Sequence, residues 1–125
     1  MPKPFSYPVQ QNKQRVSLRI TKSMHADIIS ILLKKGKSTR DFSAWISEAL
    51  INLSNDSNYH EIVIEELLDR GDNISRPISL SSEASKKLLE MKENIMKKYN
   101  FESDINSKII RTAITQQLIK EEFLQ

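Results

Sequence analysis

Two stretches of the chain, 60 residues apart, share an alternating pattern that limits what the chain can fold into. In the first, Val16, Leu18 and Ile20 alternate with polar residues, as in a strand that has one apolar face. In the second, Ile78 and Leu80 occupy the positions of Leu18 and Ile20. Helix-like spacing follows both stretches, where the offset grows to 64, a gain of about one helical turn. The repeat predicts the order strand, helix, helix twice.

The helices have apolar faces and recognisable ends. Thr21 or Ser23 can cap the first helix, and Gly36 can end it in the left-handed conformation. Its predicted apolar positions are Met24, Ile28, Ile29, Leu32 and Leu33. The second helix begins near Asp41 to Ser43, with a stripe at Phe42, Trp45, Ile46, Ala49, Leu50 and Leu53. In the second repeat, Asn100 takes the position of Gly36, and the longer first helix has Ala84, Leu88, Met91, Ile95 and Tyr99 on its face.

A single short strand needs a partner for its backbone groups. The segment 15–21 can pair antiparallel with the segment 75–81, so that the apolar sides of both cover a core of four helices. The opposite face of this ribbon then carries Arg15, Ser17 and Arg19. We therefore expect a mainly α protein with one two-stranded ribbon. Pairing within one chain and exchange between two chains both satisfy the pattern.

Charge is distributed unevenly along the chain. Residues 1–40 carry a net charge of +8, residues 41–72 a net charge of −7 and residues 73–125 a net charge of +2. A basic segment next to an acidic one is typical of a surface that binds a polyanion, although a solvated face gives the same pattern. There is no cysteine, no segment long enough to span a membrane and no secretory signal, so we expect a cytoplasmic location.

Four segments follow from these patterns. We expect a flexible basic arm at 1–13, a first repeat at 14–53, an acidic linker at 54–73 and a second repeat at 74–125. The linker contains HEIVIEELLDRG, which predicts an amphipathic helix ended by Gly71. An extension of the preceding helix explains the same pattern.

The segments RVSLRI and SAWISEAL, joined through the turn at Gly36, resemble the ribbon-helix-helix (MetJ/Arc-like) family of bacterial DNA-binding proteins. The resemblance covers residues 14–53 and 75–118. It implies a tandem ribbon-helix-helix fold, in which the two repeats of one chain form a pseudo-dimer. The tandem form is similar to the F-plasmid-type relaxosome accessory proteins of conjugative plasmids and to a related T-DNA transfer protein.

The resemblance also assigns roles to residues. It implies that Arg15, Ser17 and Arg19 contact DNA bases, together with their second-repeat equivalents Ser75, Pro77 and Ser79. A register slipped by two residues would instead face Pro77, Ser79 and Ser81 outward. In both registers the second repeat presents no cation and Arg76 faces inward, so we expect the first repeat to supply most of the base contacts.

Contacts to DNA phosphates are expected near the helix starts. The resemblance places Ser43 and Ser107 there, and helix capping is the alternative role of both serines. Lys22, Lys108 and Arg111 are further candidates, although a role in surface solubility explains these three equally well. Lys13 in the arm is another candidate, for which a disordered tail is the favoured explanation.

The predicted function is sequence-specific binding of double-stranded DNA, as a relaxosome accessory protein, a transcriptional regulator or both. A relaxase or another relaxosome protein is then a possible partner, and further association on DNA is open. One alternative is a chromosomal, phage or antitoxin-type repressor. Another is a small helical adaptor that binds a protein through the helix around Ile62 to Leu68. We expect no catalysis, cofactor or membrane contact, and no metal site at His25 or His60.

Overall fold

The computed structural model describes residues 14–65, 73–99 and 105–123. The predicted arm at 1–13, including Lys13, and the position of Asn100 lie outside these residues. The elements in chain order are β1 (Gln14–Thr21), α1 (Lys22–Lys34), a 3₁₀ turn (Thr39–Asp41), α2 (Phe42–Ser54), α3 (Tyr59–Glu65), β2 (Asn73–Leu80), α4 (Ser82–Lys98) and α5 (Ile105–Phe123). The chain is mainly helical with one small two-stranded antiparallel sheet, as predicted.

The two strands pair within one chain. Ser17 lies opposite Pro77, the residue that occupies the same position 60 residues later. The register therefore pairs the two positions that the 60-residue offset aligns. The strand β2 ends at Leu80, one residue earlier than predicted, because Ser81 caps α4: its Oγ accepts a 3.1 Å hydrogen bond from the Ala84 amide.

The inner face of the ribbon closes one side of the core. Leu18, Ile20, Ile78 and Leu80 are fully buried there. Below them, α2 packs against both α4 and α5. The predicted stripe of α2 is buried at every position, namely Phe42, Trp45, Ile46, Ala49, Leu50 and Leu53. A helix with a stripe this wide is suited to the centre of a small helical core.

The ends of α1 follow the predicted chemistry, but its buried face is narrower. Thr21, not Ser23, is the cap, since its Oγ1 accepts a 3.0 Å hydrogen bond from the Met24 amide. Gly36 adopts a positive φ of 75°, the left-handed conformation that favours glycine. The prediction for Leu33 is wrong: its side chain is 62% exposed, whereas Ile31 is buried. The buried positions Ile28, Ile31 and Leu32 follow i, i+3, i+4 spacing, and Leu33 lies about 100° around the helix from Leu32, on the side away from Ile28 and Ile31.

The linker contributes a separate helix to the core. The helix α2 ends at Ser54 and a turn precedes α3, so the alternative of a continuous helix is wrong. Val63 is fully buried, and the hydroxyl of buried Tyr59 accepts a 2.9 Å hydrogen bond from Asn94 Nδ2 of α4. The described part of the acidic helix therefore packs its apolar side against the rest of the chain.

The predicted apolar face of α4 is buried except at its last position. Ala84, Leu88, Met91 and Ile95 are buried as predicted, but Tyr99 is 39% exposed. The helix ends at Lys98 and the backbone of Tyr99 is extended, so the Tyr99 side chain leaves the helical face.

Across the described ranges, none of the helices has the length and apolar character that crossing a bilayer requires.

Candidate nucleic-acid interface

The ribbon presents six side chains on the face opposite the core, which we call the outer row. It consists of Arg15, Ser17 and Arg19 on β1 and of Ser75, Pro77 and Ser79 on β2. All are exposed except Ser79, which is half-buried. The register places Arg15 opposite Ser79 and Arg19 opposite Ser75, so the alternative register slipped by two residues is wrong.

The outer row is positively charged. It contains two guanidinium groups and no carboxylate. Within the described residues, neither the Arg15 nor the Arg19 guanidinium makes a hydrogen bond or an ion pair. No described residue neutralises these two cations, so this face of the ribbon suits an anionic or hydrogen-bond-accepting partner.

Arg76 lies on the inner face, as its position in the alternation predicts. Its Nη1 donates a 2.8 Å hydrogen bond to Nε2 of His25, and its guanidinium lies 3.9 Å from the centre of the Phe42 ring. Burial and the adjacent Arg76 charge lower the pKa of His25, which favours the neutral imidazole that this hydrogen bond requires. The sequence indicated the direction of Arg76 but not these two partners.

The outer edge of β2 is attached to α2 by two serines. The Ser79 amide donates a 3.0 Å hydrogen bond to Ser43 Oγ, and the Ser81 amide donates one of 3.0 Å to Ser47 Oγ. These amides point away from β1, and the alternation of a strand puts position 77 in the same row. The missing N–H of Pro77 therefore removes no bond from the ladder between the strands.

Ser43 does not cap its helix. It is the second residue of α2, and its hydroxyl oxygen accepts from β2 rather than from its own helix. The N-cap position of α2 is Asp41, whose side chain makes no capping bond to α2. The preceding 3₁₀ turn is capped instead, since Ser38 Oγ accepts from the Arg40 amide at 3.2 Å and Asp41 Oδ2 accepts from the Ser38 amide at 3.0 Å. The capping alternative for Ser43 is therefore wrong, and its proton remains available for donation to a phosphate.

A surface cavity of about 670 Å³ lies along this edge. Ser43 and Ser79 line it together with Arg40 and Glu48. Arg40 is exposed and lies in the 3₁₀ turn, two residues before the start of α2, so it is a further candidate for phosphate contact. Sequence reasoning missed it because the 3₁₀ turn that places it there has no apolar periodicity.

The helix α5 lies along β1, at the other edge of the ribbon. Ser107 and Lys108 are in its first turn and are half-buried. Arg111 is only 6% exposed and its Nη1 reaches the carbonyl oxygen of Arg19 at 3.5 Å, so a role for Arg111 in surface solubility is wrong. Lys22 is exposed at the start of α1, beside the end of β1. The candidate phosphate-contacting residues in the described ranges therefore lie around the ribbon.

The described residues were compared with the ligand groups that hold metal ions, and the whole chain with known proteins. No group of three His, Asp or Glu side chains comes together within the described residues. Comparison of the chain with family models, with curated proteins and with solved structures finds no match. The arrangement of the described side chains is thus the basis for assigning a function.

Proposed function

We propose that this protein binds double-stranded DNA by inserting its ribbon into the major groove. The supporting observation is the outer row, which exposes two cations and no acid on a two-stranded ribbon. The major groove of B-DNA is about 12 Å wide and admits such a ribbon. Serines and lysines beside the ribbon also support the proposal, because side chains of these types commonly contact the phosphates that flank a groove.

We further propose a tandem ribbon-helix-helix fold for the two strand–helix–helix halves. The pairing of Ser17 with Pro77 supports this, because equivalent positions of two repeats meet at a two-fold axis. Each edge of the ribbon is also flanked by the second helix of one half, α2 beside β2 and α5 beside β1. In this proposal the protein is not an enzyme and requires no cofactor.

For the biological role we propose a cytoplasmic accessory protein of plasmid conjugation that acts in the relaxosome, regulates transcription or does both. A relaxase or another relaxosome protein is the proposed protein partner. A chromosomal, phage or antitoxin-type repressor is the alternative within the same class. The adaptor alternative is less favoured, because the acidic helix α3 packs Val63 into the core of its own chain.

DNA fragments that flank the gene provide the test. We expect binding whose affinity falls steeply with salt, because phosphate contacts release counterions. The double variant Arg15→Ala/Arg19→Ala should lose specific binding. The matched control is Lys34→Ala/Lys37→Ala, which removes the same charge from exposed positions at the far end of α1. Equal loss in both double variants would show that net charge, and not the ribbon, accounts for binding.

A further inference from the structure

The two arginines of the outer row lie on the same strand and the same face, four residues apart. At roughly 3.3 Å per residue, their Cα atoms are about 13 Å apart along β1. The opposite strand presents two hydroxyl groups and a proline at the corresponding positions. The ribbon therefore has guanidinium groups along one long edge and only small side chains along the other.

We propose that the protein recognises an asymmetric DNA element containing two guanines about four base-pair steps apart on one DNA strand. This inference rests on the proposed DNA-binding function. A spacing of about 13 Å corresponds to about four steps at roughly 3.4 Å per base pair. Each guanidinium can bind O6 and N7 of one guanine in a bidentate manner. Because the ribbon follows the groove, the β1 edge stays beside one DNA backbone and contacts guanines of that strand.

The second strand does not supply an inverted copy of this pair. The equivalents of Arg15 and Arg19 at the 60-residue offset are Ser75 and Ser79, whose hydroxyls can bond to several bases and discriminate weakly. Pro77, at the centre of the ribbon, has no hydrogen-bond donor in its backbone or its side chain. An inverted repeat of the two guanines is therefore dispensable for binding.

The spacing is fixed by the way the ribbon is held. On one edge, Ser43 accepts from the Ser79 amide, and on the other, Arg111 reaches the Arg19 carbonyl. Underneath, Arg76 is held between His25 and the Phe42 ring. With both edges and the inner face attached to helices, the backbone positions of Arg15 and Arg19 are held at a constant separation.

Short duplexes that carry two guanines two to six steps apart test the spacing. We expect the tightest binding at four steps, and a loss of roughly tenfold when 7-deazaguanine replaces either guanine, since N7 is then absent. Arg15→Ala should become insensitive to the change at one guanine, and Arg19→Ala to the change at the other. The control Lys34→Ala/Lys37→Ala, which removes two exposed cations outside the outer row, should keep both preferences.

The outcomes distinguish this inference from the function on which it rests. Salt-dependent binding with equal affinity at every spacing would overturn the two-guanine element and leave DNA binding intact. The same holds if both arginine variants lose sensitivity at the same guanine, or if binding requires an inverted repeat. Absence of salt-dependent binding to any duplex would overturn the DNA-binding function itself and the inference with it.

Discussion

The indole Nε1 of Trp45 donates a 2.6 Å hydrogen bond to Oε2 of Glu121, a residue 76 positions further along the chain. The other carboxylate oxygen is ion-paired with Lys35, which follows the last residue of α1. Glu121 is only 8% exposed. Burial acts to raise its pKa, but the hydrogen bonds from Lys35 and Trp45 outweigh it and hold the pKa below its usual value. One carboxylate thus links α1, α2 and α5.

Removing that carboxylate should destabilise the fold. Glu121→Ala leaves the buried Trp45 N–H without its acceptor, so we expect the free energy of unfolding to fall by about 1–3 kcal/mol. Urea denaturation followed by Trp45 fluorescence and by circular dichroism measures this change. The control is Glu90→Ala, which removes an exposed carboxylate whose ion pair with Lys87 spans 3.8 Å, and the expected loss there is under about 0.5 kcal/mol. Equal losses in the two variants would contradict the linking role.

The contact between His25 and Arg76 beneath the ribbon should make the free energy of unfolding depend on pH. The pKa of His25 is lowered in the folded chain, so the unfolded chain binds the proton more readily. The stabilising contribution is therefore complete above about pH 6.5, the usual value, and is lost as the pH falls toward the lowered pKa. Burial also lowers the pKa of His60, with help from Lys98, and its contribution has the same sign.

Variants separate the two histidines. We expect His25→Gln to reduce the loss of stability between about pH 7.5 and 5.5, and the double variant with His60→Gln to reduce it further. Chemical denaturation at each pH measures the effect. A pH dependence of His25→Gln identical to that of the unmodified chain would rule out the Arg76–His25 contact as a source of the effect.

Loss of the hydrogen bond from the Ser81 amide to Ser47 Oγ should destabilise the fold and open the structure locally at Ser81. Ser47 is only 5% exposed, so Ser47→Ala should leave the Ser81 amide without its acceptor and lower the free energy of unfolding by about 1–2 kcal/mol. Hydrogen exchange at the Ser81 amide should also become faster. Ser57→Ala, at an exposed position in the turn before α3, is the control and should change neither quantity. Unchanged exchange at Ser81 in Ser47→Ala would contradict the assignment.

If the protein binds DNA as proposed, salt dependence should separate phosphate contacts from base contacts. Lys22→Ala and Lys108→Ala should each weaken binding to all sequences and reduce the slope of log affinity against log salt concentration by about 0.9. Arg15→Ala should mainly reduce the preference for the specific site. Fluorescence anisotropy over a salt series measures both quantities. An unchanged slope in both lysine variants would show that Lys22 and Lys108 do not contact DNA phosphates.

The spacing of apolar residues along the sequence predicted those strands and helices in which that spacing is regular. The alternation from Arg15 to Ile20 gave the strand and its outward residues, because successive side chains of a strand point to opposite faces. The spacing from Phe42 to Leu53 gave the buried side of α2 for the corresponding reason. Gly36 marked the end of α1, since few other residues adopt its backbone conformation.

Contacts between distant residues were not predictable in this way. Nothing near Trp45 in the sequence indicates Glu121 as its partner, and nothing near Arg76 indicates His25. Both pairs depend on how helices and strands pack in three dimensions, which periodicity within one element does not record. The error at Leu33 has the same origin, because a leucine is apolar whether or not a neighbouring helix covers it.

Both strands of the ribbon belong to one polypeptide, and this affects how the protein responds to dilution and to mutation. A ribbon made by two identical subunits falls apart as concentration drops, and every substitution occurs in it twice. Here assembly is a folding step of a single molecule, so it is independent of concentration. Each amino-acid change alters one strand alone, which leaves the two sides of the ribbon free to diverge.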